Sequence, residues 1–518
     1  MENNVAEKGR VRVRISNDLS EGEKRATATR KEEVKKGLDK LGIPCDVDNI
    51  PNIAVLASGG ALRAMVALCG TLVELRKYNL LDCIMYLGGV SGSTWCMSGL
   101  YKNKDWVEKI EELEKCLHET LTQGKWETKK AIESVLEAAE DECYSLTDIW
   151  SYFIVHRLLN QFDETTLSVH GASCENGKNP YPIYAAVEAE TYQKPHAGTW
   201  LEFTPHEAGF PGIGAYVDIK YFGSVFHNGQ MIEERKEKNA CYLQGLWGSA
   251  LGSKEEAQKK IVDVLENILE ETTSNDLDHD SSKSSELLRE MLETWNSADE
   301  ETRQEEYMRL NQALDTDIGR SDSPALHNFS NMIKKTCLCL LNWTWGSTKN
   351  FLYHCSDVEF PELSSKPVLY FIDAGLTINT AYPSILRPER QVKLILSFDF
   401  SAGDPFLTVR RAAEYCDAHG IPFPKIDEAE LQDTDNPLDS YIFRGERAPT
   451  VMHFPLFNKV NCPGKIAEYR EQFSTFKMHY LGEEIEKLLT AAKKNVSNVQ
   501  QKILQEMKRI AGPPSQKA

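Results

Sequence analysis

"IAVLASGGALRAMV", residues 53–66, decides the fold. Ile53 to Ala57 is an apolar run of strand length, Ser58-Gly59-Gly60 interrupts it, and from Ala61 to Tyr78 the apolar residues Leu62, Val66, Cys69, Val73 and Leu75 recur at helical spacing. The unit reads strand, glycine turn, helix. "CIMYLGGVSGSTW", residues 83–95, repeats it: Cys83 to Leu87 makes the strand, the small residues make the turn, and a helix follows to about Tyr101. Two such units in succession predict parallel strands joined by crossover helices. The expected fold class is α/β, with a central mostly parallel sheet flanked by helices.

Working outward, further strands are expected at Val368–Ile372 and Val392–Phe398, and helices through much of 104–165. Beyond Ile485, Leu488, Ala492, Val496, Val499, Ile503 and Met507 share one helical face, a pattern suited to docking on a core. Residues 1–50 read as an N-terminal appendage. Within it, Arg10 to Ile15 alternates like an edge strand, and Ser20 with Glu23 caps a charged helix that ends before Gly42 and Pro44. That helix is either a solvated strap over the core or an interfacial helix turned to anionic lipid through Lys24, Arg25, Arg30, Lys31, Lys35 and Lys36. Residues 51–518 read as one catalytic domain carrying a lid-like insertion at about 253–325.

The charge of the chain is uneven. Of a net −19 over 518 residues, −12 falls between Ser253 and Asp322, where 20 Asp and Glu face 8 Lys and Arg. An acidic chain lacks the basic surface that nucleic acid requires, so no nucleic-acid partner is expected. The centre of this segment, Ser274 to Ser285, reads as mobile. Asp276, Asp278 and Asp280 begin like a calcium loop, but Ser281 stands where glycine is needed and Leu287 where glutamate is needed, so no metal is expected there. Thirteen scattered cysteines form no paired framework or zinc clamp, which points to reduced thiols. No apolar run reaches the ~18 residues of a membrane span, and Met1-Glu2-Asn3-Asn4 does not open a signal peptide. A cytoplasmic address follows as the expectation. Met1-Glu2 excludes N-myristoylation and the tail Pro513–Ala518 has no prenylatable cysteine, so membrane contact is expected to be peripheral.

The chemistry centres on Gly89-Val90-Ser91-Gly92-Ser93. A serine between an apolar strand and a helix sits where a nucleophile elbow sits, with the helix N-terminus behind it favouring negative charge. Here Ser93 replaces the last glycine of that pattern. The same residues also describe a purely structural turn, and the spacing leaves both readings open. Of the histidines that would complete a triad, His354, His419, His453 and His479, none follows a strand in a convincing loop. Asp373 ends the Val368–Ile372 strand and precedes Ala374-Gly375, which presents its carboxylate at a sheet edge. It is either a base for Ser91 or a turn cap. Ser58-Gly59-Gly60-Ala61-Leu62-Arg63 matches neither a P-loop nor a dinucleotide turn. It offers backbone N–H groups at a helix start, suited to an oxyanion, with Arg63 available to a phosphate.

Taken together, "SGGALRAM" (58–65), "GVSGSTW" (89–95) and "IDAGLTINTAYP" (372–383) resemble the catalytic domain of the cytosolic (group IV) phospholipases A2, a patatin-related lipase family. "WLEFTPHEAGF" (200–210) and "ILSFDFSAGDPF" (395–406) are similar to that family too. The resemblance implies a phospholipase A2 or lysophospholipase acting without a cofactor on glycerophospholipids and lysophospholipids at a peripheral membrane surface. It assigns Ser91 as nucleophile, Asp373 as sole base, and Gly60 and Ala61 as the oxyanion hole. Arg63 would steady the lipid phosphate or the site. Arg387, in "ILRPER", would stand near the entrance. About 50 residues precede the core, too few for a calcium-binding β-sandwich domain, so calcium independence is expected. A lysophospholipid acceptor in place of water would add transacylase activity. The family's turn carries three glycines, whereas position 61 is alanine, which strains the turn if positive φ is needed. The alternatives are a weak or silent lipid-binding relative, and a soluble-ester hydrolase with His453 as base. The sequence does not specify an oligomeric state.

Overall fold

The computed structural model describes residues 11–249, 254–274, 283–319, 323–475 and 477–512. Its strands are β1 (Arg14–Ile15), β2 (Asn52–Ala57), β3 (Tyr86–Gly89), β4 (Tyr181–Glu188), β5 (Trp200–Phe203), β6 (Glu207–Phe210), β7 (Ala215–Asp218), β8 (Val225–His227), β9 (Gln230–Glu233), β10 (Ser347–Lys349), β11 (Val368–Asp373), β12 (Val392–Asp399), β13 (Tyr441–Phe443) and β14 (Thr450–Pro455). Apart from the β8–β9 ribbon they form a single sheet. Its order is β1-β7-β6-β5-β4-β3-β2-β12-β14-β13, with β11 and β10 attached to β4.

The centre of the sheet is parallel: β4, β3, β2, β12 and β14 run the same way. Ile53 to Ala57 are all buried, because helices cover both faces of such strands and no polar alternation is needed. Beyond β4 the wing β5–β6–β7 is antiparallel. These strands are four residues each and nearly all buried, so they carry no period-two signal in the sequence.

The helix Ala61–Lys77 is buried from Ala61 to Leu75 and packs against the long helix Gly482–Ala511. Gly70 permits the close approach, since a Cβ there would stand 3.0 Å from the Leu489 carbonyl oxygen. The face running from Ile485 to Met507 is buried against the core, as its spacing predicts.

The N-terminal helix, Glu21–Lys40, starts as the sequence indicates, with the Ser20 hydroxyl accepting from the Glu23 amide at 3.0 Å. The Glu23 carboxylate does not turn back to complete a capping box. It is buried and held by Arg390 at 2.9 and 3.0 Å. Arg30 corrects the lipid-facing expectation: its guanidinium is buried and donates to the carbonyls of Ile84, Leu81, Gly177 and Lys178. β1 joins the main sheet through β7.

The acidic segment folds as helices Lys254–Ser274, Lys283–Thr294, Glu300–Ile318 and Pro324–Asn342. Ile261, Leu265, Met291, Trp295, Leu310 and Ile333 are buried among them, which leaves the carboxylates outward. Asp276, Asp278 and Asp280 lie outside the described residues, as do most of the predicted mobile centre, the first ten residues and the tail from Pro513.

Candidate active site

One strand acts as the ruler for the site. Along one edge of β4, β3 pairs in parallel as far as Gly89 opposite Tyr184. Farther along the same strand β11 pairs antiparallel, with Asp373 opposite Ala186. Only two residues of β4 separate those registers, about 7 Å at strand rise. Ser91 follows Gly89 by two residues, so the sheet brings Ser91 and Asp373 to one place from opposite directions.

Both side chains line a cleft of about 290 Å³ together with Gly59, Gly60, Arg63 and Asn379. Ser91 stands between β3 and the helix Gly92–Tyr101 at φ 50, ψ −131, a conformation that a residue with a side chain adopts at a cost. The surroundings enforce it. A Cβ on Gly59 would meet the Ser91 Cβ at 2.7 Å, and one on Gly92 would overlap the Ala61 carbonyl oxygen at 1.9 Å. The two turns are thus interlocked, and the Ser93 hydroxyl ties them further by donating to the Ser58 carbonyl at 2.6 Å. Serine at the last position of the pattern adds a hydrogen bond that glycine lacks.

Asp373 is buried, its backbone N–H donates to the Ser249 hydroxyl at 3.0 Å, and its Oδ1 accepts from the Gly375 amide at 2.8 Å. Gly60, at φ 146, and Ala61, at φ 50, open the helix Ala61–Lys77. The first N–H groups of a helix have no partner within it, so this turn carries backbone donors at the edge of the cleft that Gly60 lines. Ala61 is itself in the left-handed region, where a Cβ costs about 1 kcal/mol. Ala61→Gly is therefore expected to raise the unfolding free energy by about 0.5–1 kcal/mol in denaturant titration while leaving kcat nearly unchanged, because the donor is backbone. A marked rise in kcat would show instead that the Cβ weakens that donor.

Asn379 is a site residue that the sequence reading missed. Its Oδ1 accepts from the Gly59 amide at 3.0 Å and its Nδ2 donates to the Ser401 hydroxyl at 3.1 Å. Ser401 in turn donates to Asp399 at 2.8 Å, and burial pushes the Asp399 carboxyl up to about 7. This chain fixes which way the amide points and braces the glycine turn against the end of β12.

Both arginines expected at the site are buried. Arg63 lines the cleft but is sealed: Nε donates to the Phe400 carbonyl at 2.6 Å, Nη1 to the Phe473 carbonyl and Nη2 to Thr475 at 3.3 Å. It braces the site and does not offer itself to a phosphate. Arg387 is a correction to its expected place at the entrance. Its side chain is buried beside Glu202 at 2.6 Å, donates to the Asn17 carbonyl and lies over the Tyr216 ring, within a cluster completed by Arg390 and Glu23. Glu202 pays a burial penalty there, yet Arg390 and Arg387 hold its carboxyl below the usual range.

His453 lies away from the cleft. It lies within β14, fully buried, with Nε2 on the Pro405 carbonyl at 2.6 Å, and burial pulls it down to about 4. His419 bonds the Tyr415 carbonyl at a helix end, and His354 pairs with His227. Among the described residues no histidine lines the cleft.

Comparison with known proteins gives the class, a phospholipase A2 and lysophospholipase hydrolase. The sequence model of the lysophospholipase catalytic domain matches residues 53–329. Cytosolic phospholipase A2 gamma of Homo sapiens is 39% identical, over 97% of both chains. Human GIVD cytosolic phospholipase A2 superposes with a TM-score of 0.72 at 24% identity, over 97% of this chain and 68% of that one. The same human enzyme in complex with methyl gamma-linolenyl fluorophosphonate gives a TM-score of 0.68 at 25% identity, over 97% of this chain and 65% of that one. The chain belongs to the cytosolic phospholipase A2 family.

Proposed function

We propose that this phospholipase is a calcium-independent acylhydrolase in which Ser91 and Asp373 form a dyad. Ser91 Oγ attacks the acyl carbonyl of a glycerophospholipid or lysophospholipid, and its proton passes to Asp373. The N–H groups of Gly60 and Ala61 hold the oxyanion. Collapse returns the proton to the departing glycerol oxygen and leaves an acyl-serine. Water, deprotonated by Asp373, then attacks the acyl carbon, and the proton passes to the departing Ser91 Oγ as the fatty acid is released, while a lysophospholipid acceptor in place of water makes the step a transacylation. The acyl chain has an apolar receptacle nearby. A hollow of about 530 Å³ lined by Trp343, Trp345, Tyr370 and Ile372 shares Leu376 with the cleft, and Lys254 and Ala257 of the acidic insertion close one side of it. In this reading residues 51–518 are the catalytic domain, the insertion is its lid, and the enzyme is a cytoplasmic protein that meets membranes peripherally and transiently. Among the described residues no helix is long and apolar enough to cross a bilayer.

The observation that carries the proposal is the enforced elbow at Ser91, placed in one cleft with Asp373 by the register on β4. The positive φ of Ala61 favours a second reading, a weak or silent lipid-binding relative. Hydrolysis of lysophosphatidylcholine and of mixed-acyl phosphatidylcholine in excess chelator separates the two, with a fluorophosphonate probe as the second readout. The dyad enzyme keeps its full rate without calcium and yields a phosphonylated Ser91 peptide. A rate that collapses in chelator ends calcium independence, and a folded protein that takes no probe supports the silent reading.

A further inference from the structure

Two guanidinium groups line the cleft among the described residues, Arg63 and Arg411. The dyad proposal needs a group to receive the substrate phosphate, which the glycerol backbone tethers close to the scissile ester. Arg63 has hydrogen bonds on all three nitrogens, two of them to backbone carbonyls, and is 2% exposed. Recruiting it would strand those buried carbonyls without a donor.

Arg411 is placed otherwise. It lies on the helix Leu407–His419, one turn along from Leu407, and is partly exposed. Its Nη1 donates to the carbonyls of Thr377 at 3.1 Å and Leu376 at 3.4 Å, in the turn that follows Asp373. One nitrogen is thus anchored beside the dyad, while Nε and Nη2 have no partner among the described residues. That Nε/Nη2 edge is the planar fork that matches a phosphate bidentately. The other carboxylate lining the cleft besides Asp373 is Asp404, and its charge is met by Arg410 at 2.8 Å. Leu376, 40% exposed, and Leu407, 43% exposed, stand at the same rim. An apolar lip with a cation between its two leucines suits an amphiphile whose chain enters the protein and whose phosphate stays near the surface.

We propose that Arg411 is the phosphate-binding residue of this site, and that it distinguishes phosphate-bearing acyl esters from neutral ones; the proposal rests on the dyad reading above. The phosphate belongs to the lipid headgroup, and free inorganic phosphate is the competing source. The test compares wild type, Arg411→Gln and Arg411→Lys on lysophosphatidylcholine and on a monoacylglycerol with the same chain. Arg411→Gln is expected to raise KM for the lysophospholipid about 10–100-fold with kcat little changed, the size of a lost charge-assisted pair, and to leave the neutral ester unaffected. Arg411→Lys recovers part of the loss, because it keeps the charge without the fork. Equal losses on both substrates would make Arg411 a structural brace and overturn the proposal, as would no loss on either. Equilibrium binding of a non-hydrolysable ether lysophospholipid, below its micelle concentration, reads Arg411 independently of turnover. If wild type binds it and Arg411→Gln binds about 10-fold more weakly, the phosphate site stands even where catalysis fails. Competition by inorganic phosphate but not by glycerophosphocholine would assign the site to the free ion and overturn the headgroup reading.

Discussion

Ser91→Ala is expected to abolish acyl-ester hydrolysis, by about 10⁵–10⁶ in kcat, and to prevent fluorophosphonate labelling while the protein stays folded. The expectation of an intact fold has a specific basis. The helix Gly92–Tyr101 begins directly after Ser91, and the interlock of the two turns runs through Gly59, Gly92, Ser58 and Ser93 rather than through the Ser91 hydroxyl. Removing one oxygen from a side chain that is 5% exposed leaves the packing around Met97 and Ala61 in place. The backbone strain at φ 50 persists in the alanine variant, so unfolding is expected to change by less than about 1 kcal/mol. Binding of the ether lysophospholipid by Ser91→Ala is the control, because it depends on the cleft and not on the nucleophile. Hydrolysis at the wild-type rate in this variant would remove Ser91 from the mechanism.

What could be read from the sequence, and what could not, divides along a physical line. The paired strand–turn–helix units, the elbow serine and the apolar face beyond Ile485 are local patterns, written within a few turns of chain. The strand ending at Asp373 was legible as a strand. Its antiparallel approach to β4 was not, because register between segments 185 residues apart leaves no local trace. The arginines show the same limit. Arg30 could read as facing lipid, Arg63 as steadying a phosphate or the site, and Arg387 as standing at the entrance, yet each is buried with donors aimed at backbone carbonyls or at Glu202. Carbonyls occur at every residue, so a sequence gives no sign of which ones an arginine will find. Asn379 was passed over for the opposite reason. In "INTAYP" it is an ordinary loop asparagine, and its role appears only when Gly59, 320 positions away, is seen to donate to it.

Asp373→Asn is expected to lower kcat by about 10³–10⁴, the scale of losing a positioned general base, while KM for lysophospholipid stays close to the wild-type value. The substitution is nearly isosteric, and Asn Oδ1 can still accept from the Gly375 amide, now bonded to Asp373 at 2.8 Å, so the turn that carries Leu376 and Thr377 keeps its shape. What disappears is the capacity to take a proton. His453→Gln is the paired experiment. The imidazole of His453 is enclosed in β14, bonded to Pro405 and held at a pKa of about 4, and it does not line the cleft. Its replacement is expected to cost stability, through a buried hydrogen bond worth about 1 kcal/mol, and little in kcat. The two outcomes together separate the mechanisms, since a triad requires both losses and a dyad only the first. Collapse of kcat in a folded His453→Gln protein, with Asp373→Asn still active, would reverse the assignment. The register on β4 argues against that outcome. It delivers a carboxylate to the elbow from the opposite strand direction, two residues along from where β3 lets go, and among the described residues nothing comparable carries an imidazole there.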